Sequence, residues 1–337
     1  MSELPACDSK SASGRKRADD RPVVSAAKEA LPSWDVLGLG CAAVDELLYV
    51  ETYPAPDEKT LVLRREFQCG GLTATALVAA ARLGARCAFG GYLGADAASR
   101  MICESFAEEG VDFTLAVRDA NAGIVRSTVV VAVDGTRNIF YQAHGRIGAH
   151  DTQPEDRIVT GARVLLVDQF GIEGNIRAAR LARRAGRAVV ADIEDGSSPR
   201  LGELLALVDH LVLSEGFAMR LTRADSPAKA ASLLWCEDRA AVVVTCGSRG
   251  CWFLEPGDST PRHQPAFPVK VVDTTGCGDI FHGAYAAALA RGASLADRVR
   301  FASAAAGLKA ERPGGQKGIP RLEEVRAFLS SSAHSAS

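Results

Sequence analysis

Apolar positions fall into two textures along the chain. From residue 163 onward, short continuous apolar runs alternate with amphipathic stretches. RVLLVDQF, RAVVADIED, DHLVLS and AAVVVTCG are dense in Val, Leu and Ala, the pattern of strands buried on both faces. Between them GNIRAARLARRAG, PRLGELLALV and SPAKAASLLWCED read as helices that bury one face. Strand–helix alternation predicts right-handed crossovers and a parallel sheet covered on both sides. Ligands then bind beyond the carboxyl ends of the strands.

Upstream the texture is mixed. WDVLGLG predicts a buried strand. LTATALVAAARLG predicts a helix ended by Gly84, ARCAFGGYLG a strand and loop, and ASRMICESFAEEG a helix ended by Gly110, both glycines in the C-cap role. AVDELLYVETYP and EKTLVLRREF, with Pro54 and Pro56 between them, read as extended segments outside the main sheet. RSTVVVAVDGTRNIFYQ reads as two strands joined at Asp134-Gly135, a hairpin signal. These segments predict a small separate sheet. Helical stretches follow near 279–291, 294–309 and 321–330.

Composition narrows the function classes. The chain has 337 residues, Lys+Arg 39 against Asp+Glu 41, and a formal charge of -2. That balance argues against a broad basic face for nucleic acid. No apolar run approaches the roughly 18–20 residues of a membrane span. The first 33 residues, with the basic run Arg15-Lys16-Arg17, read as a solvated, disordered tail without the apolar core of a signal peptide. The nine cysteines form no C-x-x-C pair, so reduced thiols in a cytoplasmic protein are expected.

The segment with the most chemistry is VVDTTGCGDIFHGAYAAALARG, residues 271–292. It predicts a strand ending at Val272, a Gly-rich turn and a helix beginning near Asp279. Gly276, Cys277 and Gly278 then offer backbone N–H groups at a helix N-terminus, an anion-binding nest. Asp279 makes a poor anion ligand there. It suits a base that takes a proton from a hydroxyl while the nest holds developing charge. This pairing fits phosphoryl transfer from a nucleotide to an alcohol. An isolated Gly-x-Gly-Asp would instead read as a helix cap.

The whole string D-T-T-G-C-G-D-x-F-x-G resembles the signature of the ribokinase-like (PfkB) carbohydrate kinases, and no P-loop motif competes with it. The resemblance runs from Trp34 to Leu329 and includes Gly70-Gly71 with the helix after them, TCGSRGCWF and ERPGGQKGIP. It implies an α/β fold: a doubly wound, mostly parallel sheet with helices on both faces, plus a small β-sheet lid. The domain spans 34–331, with lid segments near 45–66 and 112–146 and a disordered tail at 332–337. It also implies ATP, Mg²⁺ and a sugar-like alcohol as substrate. Asp279 would be the base and the N–H groups of Gly276, Cys277 and Gly278 the anion hole. Asp45, Gly70, Gly71 and Lys59 would hold the acceptor. Thr245, Gly247, Ser248, Gly250, Gly314 and Gly315 would line the nucleotide. Asp273 and Thr275 match positions that help bind a monovalent cation, K⁺, in some members; local strand-end satisfaction is an equal reading. Lid sheets in this family often form dimer contacts, which implies a homodimer.

The chain departs from the family in places. The N-x-x-E motif falls on Ser214, Glu215, Gly216 and Phe217, leaving Glu215 to approach Mg²⁺ through water. Cys277 puts a thiol next to the nest, where modification would block it. His282 stands where many members have Asn, and Phe170 where a sulfonated sugar would call for a basic residue. Gly38-Leu-Gly40-Cys-Ala-Ala43 matches a dinucleotide fingerprint, but β-leaning residues follow in place of the required helix. A nucleoside acceptor and a non-catalytic sugar or nucleotide sensor are the alternative functions.

Overall fold

The computed structural model describes residues 34–134 and 136–334. The N-terminal tail, Gly135 of the hairpin turn and residues 335–337 lie outside the described residues. The large sheet has nine strands. In spatial order they are Arg262–Gln264, Cys251–Leu254, Ala241–Thr245, His210–Ser214, Ala188–Asp192, Val164–Asp168, Val36–Leu39, Cys87–Phe89 and Val111–Asp112. The seven strands from Ala241–Thr245 onward are parallel, and the first two are antiparallel.

Strand side chains alternate between two cores. Val36, Val164, Leu166, Val190 and Val212 face helices Leu72–Arg82, Cys277–Ala290 and Leu295–Ala310. Leu37, Leu165, Val167, Val189 and Leu211 face helices Ile172–Arg184, Leu201–Leu205, Glu215–Thr222 and Pro227–Leu234. Burying each such side chain contributes about 1.5–3 kcal/mol. Both glycine stops hold: Gly84 and Gly110 have φ of 86° and 69°.

The second sheet has four strands, in the order Val62–Gly70, Ala43–Val50, Val125–Ala132 and Arg137–Gln142. Its central pair is parallel and its outer pairs antiparallel. The chain leaves the large sheet after Leu39 and enters this lid at Ala43. No helix follows the glycines, so the dinucleotide fingerprint fails on its own structural requirement. A Cβ at Gly40 would lie 2.2 Å from Asp168 Oδ2, so the glycine makes room for a carboxylate.

Four expectations need correction. Residues 111–112 form the edge of the large sheet, so the second lid segment starts at 125. Helix Glu215–Thr222 begins immediately after its strand, capped by the Ser214 hydroxyl, where the sequence pattern predicts no helix. Residues 269–272 form no strand; the N–H groups of Val272 and Asp273 bond to the Ala310 carbonyl. The last helix runs to His334, past the expected end of the domain at 331.

Candidate active site

The nest forms at the start of helix Cys277–Ala290. Gly276 caps it with φ 75° and ψ 2° and no side-chain cap bond. This left-handed conformation turns the chain without cost only at glycine. The Cys277 N–H closes a turn onto the Thr274 carbonyl at 3.2 Å. Among the described residues, the N–H groups of Gly276, Gly278 and Asp279 find no backbone acceptor. The donors thus differ slightly from the expected trio: Cys277 is engaged and Asp279 joins. At a helix N-terminus they suit a phosphate oxygen. A Cβ at Gly283 would lie 2.1 Å from the Ala76 carbonyl, so glycine there lets this helix close onto Leu72–Arg82.

Asp279 sits in the first turn, and among the described residues no donor bonds its carboxylate. Burial raises its pKa well above the ordinary aspartate value, and the charges of Asp192, Glu194, Asp45 and Asp168 raise it further. A carboxylate held in this way is a stronger base once ionised than an exposed one.

The surrounding acids come from strand ends. Asp168 ends Val164–Asp168 and is fully buried. Its Oδ2 accepts from Cys41 N–H at 2.7 Å and the Thr73 hydroxyl at 2.8 Å, and its Oδ1 from Phe170 N–H at 2.8 Å. Burial pushes its pKa to about 6, against those three bonds. Asp192 ends Ala188–Asp192, and burial raises its pKa too. His282 is buried, not on the helix surface. Its Nδ1 lies 2.9 Å from the Gly278 carbonyl and 3.2 Å from Asp192 Oδ2, and its Nε2 lies 3.0 Å from the Val212 carbonyl. The ring ties the first turn of helix Cys277–Ala290 to the strand His210–Ser214 and stands beside the end of Ala188–Asp192. Neither Asp168 nor Asp192 was singled out from the sequence. Their signal is an acid closing a continuous apolar run, VLLVD and AVVAD.

On the lid, Asp45 pairs across strands with Gln68 and Ser127. The Ser127 hydroxyl donates to Asp45 Oδ1. Burial raises the Asp45 pKa, with the Ser127 bond opposing. A Cβ at Gly70 would lie 2.5 Å from Asp45 Oδ2, and one at Gly71 would lie 2.7 Å from Ala42 Cα. These glycines make room for the lid aspartate and the strand crossing. Lys59 is exposed in the loop between lid strands, and among the described residues it has no partner. It is not brought to the site.

The other expected residues divide. Thr245 ends a strand, and Gly247, Ser248 and Gly250 form the turn after it; Gly247 and Ser248 are exposed. Gly314 and Gly315 are buried, and their N–H groups bond to Asp273 Oδ2 and Gln68 Oε1, each at 2.8 Å. They brace the nest loop and the lid and offer no open donors. Asp273 Oδ1 accepts from Thr275 N–H at 2.8 Å. Glu215 pairs with Arg249. The Cys277 thiol donates to the Ala306 carbonyl at 3.5 Å, and burial lifts its pKa to about 11. It points away from the nest as a poorly reactive thiol, contrary to expectation. Among the described residues no cluster of three metal-ligating side chains occurs, and no helix is long and apolar enough to cross a membrane.

A doubly wound sheet, a lid, and a Gly-rich helix N-terminus carrying an acid define a small-molecule kinase. The chain belongs to the pfkB family of carbohydrate kinases, whose family model matches residues 38–322. It is similar to the ribokinase of Haemophilus influenzae, with 29% identity over 302 residues, covering 86% of this chain and 97% of that one. Among solved structures it resembles the Arabidopsis thaliana ribokinase complexed with ribose and ATP. The TM-score is 0.77 at 27% identity, over 89% of this chain and 99% of that one. The ribokinase of Thermotoga maritima has a TM-score of 0.77 at 26% identity, over 88% and 99%.

Proposed function

We propose that the protein transfers the γ-phosphoryl group of ATP to a hydroxyl of a sugar or sugar derivative. The observation that carries this reading is Asp279: an unpartnered, pKa-raised carboxylate beside the free N–H groups of Gly276 and Gly278. Similarity to a ribokinase solved with ribose and ATP supports ATP as donor and a sugar as acceptor.

Asp45 accepts hydrogen bonds from acceptor hydroxyls, with Ser127 fixing its second oxygen. Asp279 takes the proton of the attacking hydroxyl. The sugar oxygen then bonds to the γ-phosphorus as the bond to the β–γ bridging oxygen breaks, and ADP leaves. The Gly276 and Gly278 N–H groups hold charge on the transferring group. The lid excludes water, which otherwise accepts the phosphoryl group.

Mg²⁺ bound with the nucleotide would neutralise phosphate charge. Such ions are held largely by phosphates and waters, with one or two carboxylates. The carboxylate suited to this is Glu194. It is exposed, unpaired among the described residues, and close enough to raise the Asp279 pKa. Glu215 is occupied by Arg249.

The lid carries a further reading, a homodimer. Strand Arg137–Gln142 is exposed on both faces, and Val62, Leu63, Phe67, Ile139, Phe140 and Tyr141 are all exposed. An apolar surface of this kind at sheet edges is suited to cover by a second copy.

The direct test is ADP release with Mg-ATP across ketoses, aldoses, deoxy-keto acids, sulfosugars and nucleosides. Turnover on a sugar supports the reading. Turnover confined to nucleosides moves the acceptor class, and no turnover despite ATP binding points to a sensor.

A further inference from the structure

Asp273 and Thr275 are the residues expected to meet a monovalent cation, yet two of the protein's own cations already stand against the Asp273 carbonyl and the Thr275 hydroxyl. Lys309 is fully buried although it lies on helix Leu295–Ala310. Its Nζ donates to the Asp273 carbonyl at 2.7 Å and lies 3.7 Å from Asp273 Oδ2. Arg137 reaches in from the lid: its Nη1 donates to Thr275 Oγ1 at 2.8 Å and lies 4.0 Å from Asp273 Oδ1. The Asp273 carboxylate also accepts the Thr275 and Gly314 N–H groups. A free cation entering here would meet an ammonium, a guanidinium and a carboxylate that already accepts two backbone N–H groups. The residues do not fit a K⁺ site.

We propose that the Lys309 ammonium takes the place of the monovalent cation beneath the nest, so that the enzyme works without potassium. The proposal rests on the kinase reading only for the word enzyme; the occupancy of the site stands on the geometry. Fully buried lysines are rare, and a buried ammonium persists only where it is paired. This one is paired with Asp273 at the start of the nest loop, 273–278, where the loop after its own helix also bonds through the Gly314 N–H. Gly318 supplies the room: a Cβ there would lie 3.2 Å from Lys309 Cε. The covalently attached charge therefore holds the nest loop at every potassium concentration.

The experiment replaces potassium chloride by choline chloride at constant ionic strength. It reads melting temperature without nucleotide and ATP affinity by calorimetry. For the natural protein we expect no change in melting temperature and less than about a twofold change in ATP affinity, because an ion that does not bind cannot stabilise. The Lys309→Ser variant opens a cavity and removes the charge. In choline it should bind ATP about tenfold more weakly, as the nest donors lose their position, and potassium should restore both affinity and melting temperature. Potassium stabilisation of the natural protein would overturn the proposal. So would a folded Lys309→Ser variant indifferent to potassium. If that variant does not fold, the titration of the natural protein still decides. Absence of ATP binding in every buffer would count against the kinase reading, while the melting series still reports on the cation site.

Discussion

His282 Nδ1 lies 3.2 Å from the Asp192 carboxylate, one helical turn beyond Asp279. After burial, the Asp192 charge is the largest influence raising the Asp279 pKa. A base works only when ionised, so turnover should fall as pH drops through that raised value, above the range of an ordinary aspartate. In the Asp192→Asn variant this influence is gone and the Asp279 pKa falls. The acid limb of the kcat profile should then move to lower pH. A limb that stays in place, or moves up, would show that Asp192 does not act on the base.

Asp168 joins the strand crossing at Cys41, the start of the next helix at Thr73 and the loop at Phe170. Asp168→Ala leaves these three donors without their acceptor and should cost about 3 kcal/mol or more in denaturant unfolding, at about 1–3 kcal/mol for each buried unpaired group. The folded pKa, about 6, lies above the ordinary 3.8. The folded state therefore binds this proton more tightly than the unfolded one. This group's contribution is most favourable at low pH and declines as pH rises from about 4 to about 6. Unfolding measured across that window in the natural protein and in Asp168→Ala reads the slope directly.

Gly70→Ala places a methyl group 2.5 Å from the normal position of Asp45 Oδ2. Asp45 must shift, and its hydrogen bond to the acceptor lengthens. KM for the sugar should rise about tenfold, the scale of a lost charge-assisted bond, with KM for ATP unchanged. Equal effects on both substrates would contradict the placement of Asp45 on the acceptor.

The lid dimer is checked by sedimentation. The natural protein should sediment at twice its chain mass, and the double variant Phe140→Glu, Tyr141→Glu at once. Charges placed on an apolar interface cost too much to bury unpaired. A monomeric natural protein removes the dimer and leaves the site untouched.

How much of this was legible in the sequence follows from how local each feature is. The central parallel strands announce themselves because each is a continuous apolar run, whereas the two-residue edge strand Val111–Asp112 is too short to do so. Gly84 and Gly110 mark helix ends because the left-handed turn needs them. The nest, too, is one contiguous string. The lid strands were visible, but not the parallel pairing of Ala43–Val50 with Val125–Ala132, which joins segments about eighty residues apart. Val269, Val271 and Val272 look like a strand, but no sheet partner reaches them. Lys309, in AAAGLKAER, reads as an ordinary exposed lysine; only the fold shows that its neighbour is Asp273. The family resemblance of ERPGGQKGIP puts Gly314 and Gly315 beside the nucleotide, but it does not show that their N–H groups are bound to Asp273 and Gln68.

The central claim is that Asp279 removes the proton of the attacking hydroxyl. Its most direct test is kcat of Asp279→Ala at saturating Mg-ATP and acceptor, with ATP affinity measured alongside. The account expects turnover to fall by about 10²–10⁴, the range for a lost general base, while ATP binds as before. Turnover close to that of the natural protein would contradict it.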